Sequence, residues 1–314
     1  MKKEMKLIFS DGKIYLALLV MLLCFNGYSI PIWIEIWDWD FAYRESALQL
    51  TIGGIFFGGI MLLMPFLASI PAAPLQVEEI RTLFAEQRIF KSSVAQYAKG
   101  KLIAAFLSGA IVAGGAFAAQ AVLWNIIAKP CDVNIYDYLV IDFADGCIYN
   151  SWQYILCGLP IYIWMTLMIA FSGGIWAIVG VTTAVYVRDK LMVLVIPSCI
   201  YYLWMSGLPH AVFGRTFPFP ASLYNDSLTW ALAGKAFLVY AVLAGVSVFL
   251  YIRKLREIAC NGETEKREYP FINGGDDSRK SGCFLANAKN AVDDGFYRVL
   301  LLLDGSRLCD RFSA

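Results

Sequence analysis

Six times along the chain an apolar run appears that is too long to be one layer of a soluble core. The runs lie near 14–34, 47–70, 102–128, 152–186, 191–209 and 228–252. A helix needs about 20 such residues to cross roughly 30 Å of hydrocarbon. In lipid every backbone N–H and C=O must find its partner within the protein, which leaves helices or closed barrels as spanning structures. No ten-residue alternation of apolar and polar positions marks a barrel. The sequence therefore reads as an all-α membrane protein with six transmembrane helices. Its composition agrees, with 59% hydrophobic and 16% charged residues, where soluble domains carry roughly 45–50% and about 25%. A net charge of +1 argues against a nucleic-acid partner.

Lysine and arginine orient the spans, because loops on the cytoplasmic side collect them. One set of loops holds Lys2, Lys3, Lys6 and Lys13, then Arg81, Arg88, Lys91, Lys99 and Lys101, then Arg188 and Lys190, then Arg253, Lys254 and Arg256. The other set holds only Arg44, Lys129 and Arg215. Both termini are expected in the cytoplasm. The first run follows four lysines like the core of a signal peptide, but no A-x-A-like site follows it, so it is taken as the first span. The fourth run would measure roughly 50 Å as one straight helix. Ser172-Gly173-Gly174 near its middle is a place to kink or break it. It is either one tilted helix or a helix with a re-entrant segment.

The outer loops fall at about 35–46, 129–151 and 210–227. Trp33, Trp37, Trp39 and Tyr43 read as an interfacial aromatic belt. Asp38 and Asp40 lack a third ligand nearby, so no metal site is expected there. The run CDVNIYDYLVIDFADGC places Cys131 and Cys147 on the oxidising side. A disulfide between them would gain about 3 kcal/mol from loop closure; unbridged thiols are the alternative. Its aspartates lack the spacing of a calcium loop.

Catalytic signatures are absent. The one histidine, His210, cannot form H-E-x-x-H, and no G-x-x-x-x-G-K-[ST] loop is present to cradle ATP phosphates. No catalytic residue, metal ligand or cofactor site is assigned to this chain. Within the spans the basic residue of note is Lys235, which either lines a path or snorkels to the outer interface. Small residues cluster at Gly53, Gly54, Gly58 and Gly59, and at Gly109, Ala110, Ala113 and Gly114; such spacing lets helices approach closely.

One charged stretch, VEEIRTLFAEQRIFKSSVAQYAKGK (Val77 to Lys101), lies between the second and third runs. Ile80, Leu83, Phe84 and Gln87 follow helical spacing, with Val77 one turn earlier. This predicts an amphipathic helix whose polar face holds Glu78, Glu79, Arg81 and Glu86. Its mixed charge suits a protein groove, whereas helices lying on membrane lipid tend to be basic.

The stretch, with its glutamates, short helix, Arg88, Tyr97 and Lys99, resembles the loop before the third span of ABC-2 type transporter permeases. FSGGIWAIVGVTTAVYVRDKLMVLVIPSCIYYL (Phe171 to Leu203) is similar to that family's Gly-rich fourth span, charged turn and fifth span with a proline, here Pro197. The likeness covers roughly 1–256. It departs in the long tail beyond Arg256 and in Gln87, which stands where the family often has proline. The resemblance implies a six-helix permease domain over 1–256 with a cytoplasmic coupling loop at about 71–101. It implies that Glu78, Glu79, Arg81, Phe84 and Arg88 couple to a separate cytoplasmic ABC ATPase, which binds ATP and Mg. Tyr97, Lys99 and Lys101 would anchor the loop to the third span. It further implies a second permease copy, as homodimer or heterodimer, in a bacterial cytoplasmic membrane, most often for export. From Glu257 to 314 the chain reads as a cytoplasmic tail: NGETEKREYPFINGGDDSRKSG is polar and rich in helix breakers and is expected to be flexible, and FYRVLLLLDG beyond it is too short to span and reads as a small helix. The alternative is a non-transporting six-span protein, such as a sensor or immunity protein, or a membrane enzyme using His210 or the outer aspartates.

Overall fold

A computed structural model describes residues 8–27, 46–57, 60–128, 143, 145–187, 189–206, 218, 220–223 and 228–268. The elements among them are helical: α1 (Lys13–Gly27), α2 (Ala47–Phe57), α3 (Ile60–Ser69), α4 (Ala73–Arg81), α5 (Phe84–Lys91), α6 (Val94–Ile127), α7 (Tyr149–Trp152), α8 (Leu159–Tyr186), α9 (Met192–Met205) and α10 (Trp230–Glu268). Short 3₁₀ turns occupy Leu156–Gly158 and Pro220–Leu223. Three helical stretches, Val94–Ile127, Leu156–Tyr186 and Trp230–Cys260, are long and apolar enough to cross a bilayer. The chain is a membrane protein. The first and fifth apolar runs hold the shorter apolar helices α1 and α9, and the second holds the pair α2 and α3.

Local chemistry sets the helix ends. Ser93, in extended conformation, accepts the Gln96 N–H at 3.2 Å and caps α6, satisfying one of the donors a helix start leaves open. Pro74 and Pro160 sit in the first turns of α4 and α8, where a missing N–H costs nothing. Asp189 accepts the N–H groups of Leu191 and Met192 at 2.9 Å each at the start of α9. Those bonds to Met192 and Leu191 hold its carboxyl below the usual range.

The spine of the bundle is the contact between α6 and α8. A Cβ added at Gly109 would lie 2.5 Å from the Gly173 carbonyl oxygen and 2.6 Å from Ala177 Cβ. One added at Gly173 would lie 2.5 Å from Ala113 Cβ, and one at Gly114 would lie 2.5 Å from Ala170 Cβ. The two backbones therefore touch over several turns, as small residues at helical spacing permit. Helix α1 lays buried Ala17, Met21 and Phe25 into the same core. Gln120, fully buried on α6, donates to the Phe25 carbonyl at 3.3 Å, one of the acceptors the end of α1 leaves open.

Several expectations change. Ser172-Gly173-Gly174 does not break its helix; the triplet lies inside α8 and serves the contact with α6. The break in the fourth run falls upstream, where Leu156, Cys157 and Gly158 all have positive φ. Of the expected outer loop 210–227, residues 218 and 220–223 are described, and Pro218, Pro220, Ser222 and Leu223 pack against the rest of the protein. Helix α10 runs to Glu268, past the start expected for a flexible tail at 257. A second compact unit, Glu265–Ala314, is described only as far as that helix. The aromatic belt at 33–43, His210, Gly58 and Gly59 lie outside the described residues.

Gly109→Ala should destabilise the protein by about 1–3 kcal/mol, since the new methyl meets backbone that cannot yield. Gly234→Ala, where nothing lies within 4 Å, should be neutral or gain up to about 1 kcal/mol from the helix. Unfolding in detergent micelles, monitored by circular dichroism, reads both. Equal effects at the two positions would refute a tight α6–α8 contact.

Candidate functional site

The charged stretch folds as two short helices and the start of a long one. Thr82 closes α4, its N–H and hydroxyl both bonding the Glu78 carbonyl, at 2.9 and 2.8 Å. Leu83 then adopts a left-handed conformation at φ 57°, at a cost of about 1–2 kcal/mol for a residue with a side chain. Helix α5 starts afresh from there. The single amphipathic face expected across Val77–Gln87 is therefore broken at this elbow. Val77 and Ile80 are buried as expected, but Leu83, Phe84 and Gln87 are exposed. Inward-facing residues of α5 are Ala85 and Ile89 instead.

Glu79 is the larger correction. Expected on the polar face, it is 6% exposed and turned toward α6. Its Oε1 accepts from Lys101 Nζ at 2.5 Å, and its Oε2 accepts the Tyr97 hydroxyl at 2.7 Å. Gln76 Nε2 donates to the Tyr97 oxygen at 3.2 Å. Arg88 Nη1, from α5, stands 3.7 Å from the same Oε1 that Lys101 holds. Burying a carboxylate is tolerated only when it is paired and hydrogen-bonded, and this one is both. Tyr97 and Lys101, expected as anchors of the third span, both bond the Glu79 carboxylate. Tyr251 and Leu255 of α10 complete the apolar wall around Tyr97.

Of the other residues singled out from the sequence, Glu78, Arg81, Phe84, Lys99 and Lys235 reach the surface. Glu78 forms an ion pair with Lys190, the two side chains being 45% and 50% exposed; this ties α4 to the turn before α9. The Lys190 hydrogen bond holds the Glu78 carboxyl below its ordinary range. Arg81 and Lys99 are exposed. Phe84 carries the Arg88 guanidinium 5.2 Å above its ring. Lys235 is exposed on α10, on the face away from buried Ala233, Ala236 and Tyr240. Cys147 is buried, and Cys131 lies outside the described residues.

A second polar cluster sits deeper in the bundle, among aromatic rings. Tyr240 and Ser172 hydroxyls are 2.8 Å apart, and Tyr240 also donates to the Pro220 carbonyl at 3.0 Å. Trp204 and Trp164 donate their indole N–H groups to the Pro218 and Leu223 carbonyls at 2.9 and 3.0 Å. Sequence reasoning missed this cluster and Gln76. The signal for Gln76 was available: Gln76 and Glu79 are spaced i, i+3, and Tyr97 and Lys101 i, i+4, which puts each pair on one helix face.

The chain matches no family model, no curated protein and no solved structure. Its function is accordingly argued from the chemistry of these clusters.

Glu79→Gln leaves Lys101 buried without its counter-charge and should cost about 3–5 kcal/mol. Glu78→Gln should cost no more than about 1 kcal/mol, because exposed pairs contribute little. With its carboxyl held low in the fold, the Glu78 contribution is present above the ordinary carboxylate range. It is lost as the pH falls through the lowered value. Added salt should erase the Glu78 effect and spare the Glu79 effect. Micelle unfolding of both variants at low and high salt tests this; similar losses in the two variants would contradict the burial of Glu79.

Proposed function

We propose that the chain is the membrane-spanning subunit of an ATP-driven exporter. It crosses the bilayer six times with both termini in the cytoplasm, in the membrane of a bacterial cell. With a second copy or a sister subunit it forms the translocation path. A separate cytoplasmic ATPase binds ATP and Mg and supplies the energy.

One observation carries this reading. The α4–α5 elbow has an open outer surface and an inner surface bolted to a membrane-length helix. Outside are Arg81, Leu83, Phe84 and Gln87. Inside, Glu79 is held by Lys101 and Tyr97. Exposed apolar residues rimmed by charge suit a protein groove, and Arg is over-represented where such contacts are anchored. A partner pressing on the elbow would act directly on the first turns of α6. The positive-inside distribution puts the elbow in the cytoplasm, and the chain carries no phosphate-binding loop of its own. The resemblance of Val77–Lys101 and Phe171–Leu203 to ABC-2 type permeases supports the same assignment.

The coupling residues divide accordingly. Glu78, Arg81, Phe84 and the outer face of Arg88 would meet the ATPase, while Glu79 passes the movement inward. Charge reversal at Glu79 would set a new lysine against Lys101 and damage the fold, so it cannot report coupling. The clean variants are Glu78→Lys and Arg81→Glu combined, and Phe84→Ser.

Purified in mild detergent from cells that carry its neighbouring genes, the wild-type chain should bring down a P-loop ATPase. Phe84→Ser should insert into the membrane at normal levels and retain less than about a tenth of that ATPase, as expected for loss of an aromatic anchor. If wild type brings down no ATPase, the exporter reading fails and a non-transporting membrane protein becomes the better one.

A further inference from the structure

Two amides beside the end of α1 have their nitrogens engaged and their oxygens left over. Gln120 Nε2, from α6, donates to the Phe25 carbonyl at 3.3 Å, and Asn26 Nδ2 donates to the Leu22 carbonyl at 2.8 Å. These bonds fix both amides, because turning either one over would set oxygen against oxygen. Gln120 is fully buried. Its Oε1 and the buried Oδ1 of Asn26 accept no hydrogen bond from any described residue. A buried acceptor without a donor is costly, and native proteins rarely carry one without a reason.

The surroundings say what would relieve it. Cys24 to Gly27 form the last turn of α1, whose final carbonyls have no partner within the helix. That end of a helix also carries partial negative charge. Helix α2 makes room for the amide: a Cβ added at Gly54 would strike Gln120 Nε2 and lie 2.7 Å from the Phe25 carbonyl oxygen. Phe25, Ile55 and Phe117 belong to the apolar core, so bulk water is kept away. The donor set is therefore oxygen, and all of it is neutral. Calcium and magnesium sites draw on carboxylates, and softer metals on thiolate or imidazole. Neutral carbonyl oxygens instead replace the water shell of a monovalent ion. An ordered water also satisfies acceptors, but two amide oxygens beside a negative helix end favour a positive charge.

We propose that Gln120 Oε1, Asn26 Oδ1 and the carbonyl end of α1 bind one monovalent metal cation, sodium or potassium, which ties α1 to α6 beside Gly54. The site does not rest on the exporter reading.

Thermal unfolding of the full chain in micelles tests this, in sodium, potassium or N-methylglucamine chloride. Equal ionic strength holds screening constant, so a difference between salts reports binding. At about 0.1 M salt, sodium or potassium should raise the midpoint by at least about 3 °C over N-methylglucamine. Gln120→Leu and Asn26→Ala should each abolish that difference, whatever they do to the midpoint itself. Asn26→Asp, which offers a charged oxygen, should lower the half-saturating cation concentration at least about tenfold. Equal midpoints in the three salts overturn the proposal and leave an ordered water as the partner of the two amides. A metal-ion effect that survives both Gln120→Leu and Asn26→Ala overturns the assignment to this site. Should Gln120→Leu fail to accumulate folded, Asn26→Ala, at the end of its helix, decides the matter alone. None of these readouts involves an ATPase, so failure of the exporter reading leaves them untouched.

Discussion

The carboxylate of Glu79 is buried beside an ammonium, and the whole charged end of the molecule is organised around it. Removing either partner breaks a buried ion pair, which is far more costly than breaking an exposed one. Tyr97 relays the same constraint to Gln76, and Tyr251 and Leu255 close the wall from α10. Four helices thus meet at one carboxylate. Such a junction resists displacement, because in apolar surroundings the attraction within an ion pair is strong and falls off only slowly with distance. A soft, purely apolar contact between α4 and α6 would let the elbow slide instead.

That stiffness reaches the rest of the bundle through α6. Lys101 stands in its second turn, and the helix continues unbroken to Ile127. Its contact with α8 is backbone on backbone at Gly109, Ala113 and Gly173, with no layer of long side chains to absorb motion. Helix α10 is built the other way. Leu238, Val242, Val246 and Phe249 face outward, and its inner face joins the core through large aromatic residues rather than glycines. Phe171 and Tyr240 ring centroids are 6.0 Å apart, and those of Trp204 and Tyr240 5.4 Å, within the range where edge-on aromatic pairs attract. The spine and the periphery of this bundle are therefore held by different physics.

The apolar runs were legible because length and hydrophobicity alone decide what lipid tolerates; each of the six holds a helix or helix pair. The packing use of Gly109, Ala113 and Gly114 was legible for a similar reason, since only small residues permit close approach. What was not legible depended on contacts between distant segments. Spacing alone placed Glu79 on a polar face with Glu78, because both are acidic and adjacent; the sequence carries no mark that Lys101, twenty-two residues on, would be its partner. Leu83 and Phe84 fitted the apolar period but fall at a break where Leu83 turns left-handed, which periodicity does not register. Ser172-Gly173-Gly174 looked like a hinge because glycine weakens an isolated helix. Against Gly109 and Ala113, the same absence of side chains became the site of tightest packing.

The segment at 218–223 shows the same override from the side of the backbone. Irregular backbone buried between helices must find partners for its donors and acceptors. Here the described residues are buried, and their chemistry accounts for it. Pro218 and Pro220 have no N–H to satisfy. Three of the carbonyls, those of Pro218, Pro220 and Leu223, each receive a side-chain donor, from Trp204, Tyr240 and Trp164. Tyr240 carries the load twice, because its hydroxyl also meets Ser172 on α8. The aromatic residues of α8, α9 and α10 are thus more than apolar bulk: their polar edges replace the water this backbone would otherwise need. These bonds tie the segment to three helices at once, α8 through Trp164, α9 through Trp204 and α10 through Tyr240.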